Sequence, residues 1–270
     1  MRIGNKEFDH SGGKTYVMGI LNVTPDSFSD GGKWNGMDQA LCHAEEMIAQ
    51  GASVIDIGGE STRPGYTKIS DEEEIARVTP VIEAVKERFD TVISVDTYKS
   101  AVADAALSAG ADLLNDIWGF KYDKDIAKVA AKHDAVCCLM HNKDEAVYED
   151  FMKDMMAETL ACVDIAREAG VKPEKIILDP GVGFGKSYEH NLEVMRKLDD
   201  FCHLGYPVLL GTSRKSMIGI TLDLPADQRV EGTLVTSVMA AQAGCMFVRV
   251  HDVKENMRAI KMTEAILGKL

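Results

Sequence analysis

The chain is poor in positive charge and contains no long apolar run. Its 30 lysine and arginine residues stand against 43 aspartate and glutamate residues, for a formal net charge of −13. A surface of that sign disfavours nucleic acid and anionic membranes, so we expect neither as a partner. No apolar stretch approaches the roughly 18 residues of a membrane helix, and no basic leader precedes an apolar region. We therefore expect a cytoplasmic protein.

The cysteines lack the spacing of a metal site or a disulfide framework. None forms a CxxC pair, and most lie within apolar segments. A disulfide framework is also unusual in a chain of this length and expected location. We interpret the cysteines as small apolar side chains of the core. They are Cys42, Cys137, Cys138, Cys162, Cys202 and Cys245.

One stretch near the start sets the pattern for the rest of the chain. Residues 16–21 form an apolar run, and residues 22–32 are polar and rich in turn-forming residues. Such a run, bounded by Pro, Asp, Ser and Gly, predicts a buried strand that ends in a binding loop. A composition of 46% hydrophobic and 27% charged residues is typical of a globular protein with a large core.

The same pattern of buried strand, polar strand end and helix recurs along the whole chain. Helices are predicted at 38–50, 123–133, 149–168 and 190–202. Two further helices are predicted to begin at the capping boxes that start with Ser70 and Asp252. Pro80 is expected to kink or restart its helix. The predicted strands are 16–21, 53–57, 91–96, 112–116, 135–140, 175–178, 207–210 and 246–250.

The alternation of strands and helices predicts the fold class. Each return through a helix makes neighbouring strands parallel. Eight such units predict a closed (β/α)8 TIM barrel, a single domain over residues 1–270, with its active site at the carboxyl ends of the strands. Residues 2–14 are predicted to form a short N-terminal hairpin that closes the bottom. An open doubly wound sheet is the alternative, but the first strand ends in Asn22-Val23-Thr24-Pro25 and not in G-x-G-x-x-G.

Polar side chains stand at the ends of these predicted strands and would converge on one face of a barrel. Any single Asp or Asn there could be a helix cap or a turn former. Polar groups drawn together into an apolar barrel mouth cost free energy unless they have partners, so their number favours a polar ligand. The strand-end residues are Asn22, Asp56, Asp96, Asn115, His141, Asp179, Lys215, Arg249 and His251.

Two groups of these residues suggest an anion beside a planar heterocycle. Arg249 and His251 lie one strand step apart, at the start of a helix whose N-terminus adds positive potential. Asp96, Asn115 and Asp179 offer acceptors and an amide that suit the edge of an aminopyrimidinone ring. Lys215 could reach a carbonyl oxygen or a ring nitrogen.

The glycine-rich loop 181–186 fails both common phosphate-binding patterns. A P-loop that ends at Gly185-Lys186-Ser187 requires glycine where Pro180 stands. The dinucleotide pattern from Gly181 requires glycine where Lys186 stands. A nucleoside triphosphate site is therefore not expected here.

Taken in order, the strand-end motifs resemble those of the dihydropteroate synthase family over nearly the whole chain. Each motif alone is modest evidence, but their order at the ends of successive strands is highly specific. The motifs are GILNVTPDSFSDGG (19–32), DIGGESTRPG (56–65), SVDT (94–97), NDI (115–117), MH (140–141), DPGVGFGK (179–186), SRKS (213–216) and VRVHD (248–252).

The resemblance implies that p-aminobenzoate attacks the methylene carbon of 6-hydroxymethyl-7,8-dihydropterin pyrophosphate. It implies that Mg²⁺ binds through Asn22 and phosphate oxygens, and that Asn22, Arg249 and His251 hold the pyrophosphate. It also implies a homodimer. The implied pterin-binding residues are Asp96, Asn115, Ile117, Met140, Asp179, Phe184, Lys215 and Arg249, and the implied catalytic residues are Asp96, Asp179, Lys215, Arg249, Asp30 and Arg63.

The p-aminobenzoate site would be framed by residues of several loops, with Asp30 and Arg63 in a closing lid. Two rival functions share parts of this pattern. A methyltetrahydrofolate-dependent methyltransferase would share the barrel and the pterin pocket but has no use for a pyrophosphate site. A non-catalytic pterin-binding protein would keep Asp179 and Asn115 but would not need Asn22, Arg63, Arg249 or His251. The implied p-aminobenzoate residues are Phe28, Thr62, Pro64, Phe184 and Ser216.

Overall fold

The computed structural model describes residues 1–9, 13–24, 32–60 and 68–269, without the side chains of residues 32–35. Short 3-10 turns lie at Pro173–Lys175 and Ala226–Gln228. The strands are β1 (Arg2–Ile3), β2 (Lys6–Glu7), β3 (Tyr16–Asn22), β4 (Val54–Gly58), β5 (Val92–Asp96), β6 (Leu113–Asp116), β7 (Val136–Met140), β8 (Ile176–Asp179), β9 (Leu209–Leu210) and β10 (Phe247–Val250). The helices are α1 (Gly32–Ala49), α2 (Asp71–Arg88), α3 (Ser100–Ser108), α4 (Ile126–Lys132), α5 (Phe151–Glu168), α6 (Tyr188–Arg196), α7 (Leu198–Cys202), α8 (Ser216–Leu222), α9 (Val230–Ala243) and α10 (Val253–Ile266).

Eight parallel strands form a barrel, which confirms the predicted fold class. Their order is β8-β7-β6-β5-β4-β3-β10-β9. A parallel bridge between Leu178 and Val208 joins the two ends of this order, and the Leu178 amide donates to the Pro207 carbonyl at 2.9 Å. The closed sheet leaves the carboxyl ends of its strands around a single mouth.

The N-terminal hairpin closes the opposite end of the barrel, as predicted. β1 and β2 pair antiparallel, with Gly4 in the left-handed region at φ +56°. Ile3 and Phe8 are buried against the lowest inward side chains of the barrel. The Phe8 ring lies 5.3 Å from the ring of Phe247 on β10. This plug makes the lower barrel an apolar core.

The helices cover the outside of the barrel through apolar faces of helical spacing. In α2 the buried face includes Val78, Ile82 and Val85, which pack in the main core between helices and sheet. α2 runs unbroken through Pro80, so the helix does not restart there, and of the two predicted outcomes the restart is wrong. Pro80 is exposed, and the missing backbone bond therefore falls on the solvent side of the helix. Among the described residues, no helix has both the length and the apolarity to span a bilayer.

Three local predictions about helices need correction. α1 begins at Gly32 rather than at Asp38. The predicted helix 190–202 is two helices, α6 and α7, which meet at Lys197. Asp252 precedes α10 without a side-chain capping bond, because its carboxylate instead accepts from Nε of Arg214 at 3.0 Å. An ion pair across two loops has replaced the local cap.

The cysteines are mostly core side chains, as interpreted from the sequence. Cys137, Cys138, Cys162 and Cys245 are buried. Burial raises the pKa of the Cys162 thiol to about 11, which keeps it protonated and unreactive. The exception is Cys42, which lies exposed on α1, and the interpretation is wrong for it.

Candidate active site at the mouth of the barrel

The side chains that point into the barrel change from apolar at the amino ends of the strands to polar at the carboxyl ends. Because side chains alternate along a strand, Val92, Ser94 and Asp96 of β5 all point inward. Val92 belongs to the apolar lower core, whereas Ser94 and Asp96 are buried polar residues above it. The parallel register aligns Asp96 with Asn115 on β6. Strand alternation and register therefore build a polar layer on an apolar floor.

Arg249 lies across this layer and binds two carboxylates. Its Nε donates to Asp56 Oδ2 and its Nη2 to Asp96 Oδ2, each at 2.6 Å. Burial opposes the charge, but the two carboxylates raise the pKa of Arg249 above its ordinary value. Both aspartates are buried. The sequence predicted that Arg249 and Asp96 would meet, but it gave no role to Asp56, whose signal was its strand-end position.

Several acceptors in the layer have no hydrogen-bond partner in the described part of the chain. They are Oδ1 of Asp56, Oδ1 of Asp96 and Oγ of Ser94, all buried. Burial raises the pKa of Asp96 to about 7; Arg249 opposes this shift and the charge of Asp56 adds to it. Unsatisfied buried acceptors cost free energy. A ligand that brings N–H donors would remove that cost.

Asp179 and Lys215 form the second side of the mouth. Asp179 Oδ1 accepts from the Gly181 amide at 2.7 Å. Burial raises the pKa of Asp179 and lowers that of Lys215 to about 8, while the attraction between the two charges opposes both shifts. The Lys215 ammonium donates to the Val182 carbonyl and lies 4.6 Å from the centroid of the Phe184 ring.

Gly211 shows how closely the two sides approach each other. A Cβ built on Gly211 would lie 3.6 Å from Asp179 Oδ2, 3.9 Å from Arg249 Cβ and 4.0 Å from Lys215 Nζ. One position thus touches residues from three strand ends. The convergence of Asp179 and Arg249 at one mouth, expected from the sequence, is present.

An apolar wall adjoins the polar layer. Ile117, Met140 and Phe184 belong to one cluster, as expected for the sides of a pocket for a flat ring. Tyr98 and Trp118 complete the cluster, and sequence reasoning missed both. Each lies one or two residues beyond a strand end that was recognised, so their positions in the chain were the available signal.

The remaining predicted residues lie around the rim. Asn22 Oδ1 and Asp96 Oδ2 are each 3.8 Å from a Cβ built on Gly58, so both face the same small gap. His251 Nδ1 lies 2.9 Å from Ser213 Oγ, which also accepts from the His251 amide at 3.1 Å. Ser216 is exposed at the first position of α8. His251 therefore binds the neighbouring loop that carries Ser213.

Five predicted residues lie outside the part of the chain that the structure describes. Residues 10–12 of the predicted hairpin 2–14 also lie outside the described residues. Within residues 1–9, 13–24, 32–60 and 68–269, no group of three or more His, Cys, Asp or Glu side chains could hold a metal ion. The five residues are Phe28, Asp30, Thr62, Arg63 and Pro64.

Barrel, mouth and apolar wall define an enzyme that binds a flat polar ring. A sequence model of the family described as pterin binding enzyme matches residues 18–251. The dihydropteroate synthase of Clostridium beijerinckii is 60% identical over all of both chains. That of Bacillus subtilis is 57% identical over 95% of this chain and 90% of its own. The chain therefore belongs to the dihydropteroate synthase family of pterin-binding transferases.

Solved structures of similar proteins agree in fold over almost the full length. The dihydropteroate synthase of Clostridium difficile, crystallised in the presence of pteroic acid, has a TM-score of 0.92 and 50% identity, over 98% of both chains. The Yersinia pestis enzyme in a sulfonamide drug complex has a TM-score of 0.93 and 44% identity, over 99% of both chains.

Proposed function

We propose that the protein joins p-aminobenzoate to 6-hydroxymethyl-7,8-dihydropterin pyrophosphate, yielding 7,8-dihydropteroate and pyrophosphate. The observation that carries this proposal is a set of buried acceptors, on Asp56, Ser94 and Asp96, that have no hydrogen-bond partner among the described residues. They adjoin the apolar wall. A pterin ring has N–H donors that would pair with these acceptors, and flat apolar faces that would pack on the wall. Relatives at 57–60% identity bear the name of this activity.

The pterin would be held by residues from both sides of the mouth. Asp96, Asn115 and Asp179 would bind its donor edge and Lys215 a carbonyl oxygen or ring nitrogen. The apolar wall would pack on the ring, with Arg249 against one face. For this, Arg249 must leave at least one of its two carboxylates. A guanidinium can stack and bind phosphate at once, which a lysine ammonium does poorly. The wall residues among the predicted set are Ile117, Met140 and Phe184.

The pyrophosphate would lie at the rim beside Arg249, Asn22 and His251. We propose Mg²⁺ there, bound through Asn22 and phosphate oxygens. The donor set fits, because Mg²⁺ prefers oxygen ligands, usually takes few of them from the protein and keeps several waters, and Asn22 offers an amide oxygen beside Gly58. When bound, the ion would neutralise charge on the leaving pyrophosphate.

The reaction needs charge stabilisation more than a strong base. An aniline nitrogen is nucleophilic without deprotonation. As the C–O bond to pyrophosphate breaks, positive charge develops on the pterin methylene, and Asp96 and Asp179 are placed to stabilise it. The aniline nitrogen then forms the new C–N bond and loses a proton.

The p-aminobenzoate residues remain a prediction that rests on the family resemblance. The Phe184 ring centroid lies 4.6 Å from Lys215 Nζ, and Ser216 directly follows Lys215 at the start of α8. Phe28, Thr62 and Pro64 would complete this site. Asp30 and Arg63 would act in closing it, which predicts slower pyrophosphate release in the pre-steady state for Arg63→Ala; unchanged release would remove that role.

We also propose a homodimer formed through the last helices. Exposed large apolar side chains are concentrated in α8, α9 and α10 or directly after them, including Val235 (61% exposed), Met262 (62%) and Ile266 (73%). Apolar surface of this extent favours a protein partner. Met262→Glu should lower the mass measured by light scattering, whereas Val147→Glu, at an exposed apolar residue (69%) elsewhere, should not. The single domain over 1–270 and the cytoplasmic location stay predictions.

Pyrophosphate release tests the proposed function against its rivals. The protein would be incubated with the dihydropterin pyrophosphate and Mg²⁺, with and without p-aminobenzoate. We expect release that depends on p-aminobenzoate and is lost in Asp179→Asn. A methyltransferase or a non-catalytic pterin-binding protein would show no such dependence. Pyrophosphate release that does not depend on p-aminobenzoate, or no release at all, would refute the proposal.

A further inference from the structure

The loop 180–186, between β8 and α6, carries Phe184 to the apolar wall. Its backbone is tightly held: the Gly183 amide donates to Asn191 Oδ1 at 2.6 Å, and Tyr148 Oη donates to the Gly185 carbonyl at 2.6 Å. Gly181 has φ +67° and a Cβ there would lie 1.9 Å from the His141 carbonyl oxygen. The glycines of this loop thus allow a compact turn against β7.

Lys186 points into this turn and uses all three N–H groups of its ammonium on the protein. Its Nζ lies 3.0 Å from the Gly181 carbonyl, 3.0 Å from the Phe184 carbonyl and 2.8 Å from His141 Nδ1. An ammonium has three donors. The residue that breaks the dinucleotide pattern therefore binds its own loop, and its donors are not directed at a phosphate.

His141 connects Lys186 to helix α5. Because Nδ1 accepts from Lys186, the ring proton must be on Nε2, which donates to Glu158 Oε2 at 2.8 Å. Burial and the Lys186 charge lower the pKa of His141 to about 3, consistent with a neutral ring. Glu158 Oε1 in turn accepts from Lys143 at 2.7 Å. The chain of contacts runs from α5 through β7 to the loop.

We propose that Lys186, oriented by His141 and Glu158, is a positioning residue that fixes loop 180–186 so that Phe184 closes the ring pocket. This inference rests on the proposed function and adds a residue that touches no substrate. By holding the carbonyls at both ends of the turn, Lys186 sets the place of the Phe184 ring and of the Val182 carbonyl, to which Lys215 donates.

The test measures the affinity of diphosphate-free 6-hydroxymethyl-7,8-dihydropterin by calorimetry. Lys186→Met keeps an unbranched side chain only one atom shorter but loses the donors. It should weaken binding by about tenfold, as expected for lost bonds to a buried charged group. KM for the pterin pyrophosphate should rise more than kcat falls. Lys175→Met is the matched control, since Lys175 donates to the Asp134 carbonyl at 2.9 Å and precedes β8, at the end of the strand away from the loop, and it should bind like wild type.

A second pair of variants covers the case in which Lys186→Met does not fold. His141→Leu removes the acceptor and should weaken pterin binding, whereas His141→Asn keeps an acceptor near Nδ1 and should restore most of the affinity. Affinities within twofold of wild type for Lys186→Met, or for His141→Leu where the first variant is unfolded, would overturn the inference. Wild-type protein that binds no dihydropterin would instead overturn the proposed function.

Discussion

Among single residues, Asp96 combines burial of its carboxylate with an incomplete set of hydrogen bonds to the described residues. One of its oxygens binds Arg249 at 2.6 Å, and the other is buried without a partner in the described part of the chain. Burial raises its pKa to about 7. The carboxylate is therefore protonated at a pH at which an exposed aspartate is fully ionised.

The raised pKa of Asp96 predicts a pH dependence of pterin binding. Below pH 7 the folded protein holds Asp96 protonated, so it loses a charged acceptor for the ring N–H groups. We expect the affinity for diphosphate-free dihydropterin to fall by up to about tenfold per pH unit below 7. Calorimetry between pH 8 and 5.5 measures this, and the diphosphate-free ligand removes phosphate titration from the result. Constant affinity over that range would contradict the role of Asp96.

The two ion pairs of Arg249 predict that even the conservative substitution to lysine lowers activity strongly. Its Nε and Nη2 reach two different carboxylates, and a single ammonium cannot do so. Arg249→Lys should lower kcat/KM for the pterin pyrophosphate by about 100-fold or more, as for a broken buried charge pair. Arg214→Lys, which changes an arginine paired with Asp252, is the control and should lose far less. Equal losses would show that Arg249 has no special role.

At the scale of elements, the sequence located every barrel strand, because each is an apolar run ended by a polar residue. It was less reliable where two interactions compete for one side chain. Asp252 has the spacing of a helix cap, yet its carboxylate binds Arg214. Pro80 has the chemistry of a helix breaker, yet α2 continues through it because Val78 and Ile82 pack in the core on either side. Tertiary contacts decided both cases.

The unbroken α2 predicts that Pro80→Ala stabilises the protein. The substitution restores a backbone donor on an exposed face and removes no buried surface. We expect a gain of about 1–2 kcal/mol in the free energy of unfolding, after allowing for the greater freedom of the unfolded chain. Urea unfolding measures the change, with Glu83→Ala at another exposed position of α2 as control. A less stable Pro80→Ala protein would show that the proline fits the helix better than alanine.

At the scale of the whole molecule, one end of the barrel provides stability and the other end carries the proposed site. The lower end is an apolar core plugged by Ile3 and Phe8. The upper end holds buried charges, and acceptors that find no hydrogen-bond partner within the part of the chain that the structure describes. Its set of residues could be predicted because parallel strand ends must meet at one face. The partners within the set could not, since the pairing of Arg249 with Asp56 depends on side-chain directions that the spacing of residues does not encode.

This division predicts that stability and activity can be changed separately. Ile3 is fully buried, and Ile3→Ala should lower the free energy of unfolding by about 2–4 kcal/mol because it leaves a cavity in the plug. Its KM values should stay those of wild type while the protein remains folded. Asp179→Asn should do the reverse, with weaker pterin binding and little loss of stability. Thermal unfolding and steady-state kinetics on both variants check this, and a changed pterin KM in Ile3→Ala would contradict it.

A crystal structure of the complex with dihydropterin tests the central claim most directly, through the distance between Arg249 Nη2 and Asp96 Oδ2. That distance is 2.6 Å in the structure described above. We predict that it opens beyond about 3.5 Å, the limit of a hydrogen bond, with the ring bound by Asp96, Asn115 and Asp179. A ring bound elsewhere, with the Arg249–Asp96 pair intact, would contradict the proposed site.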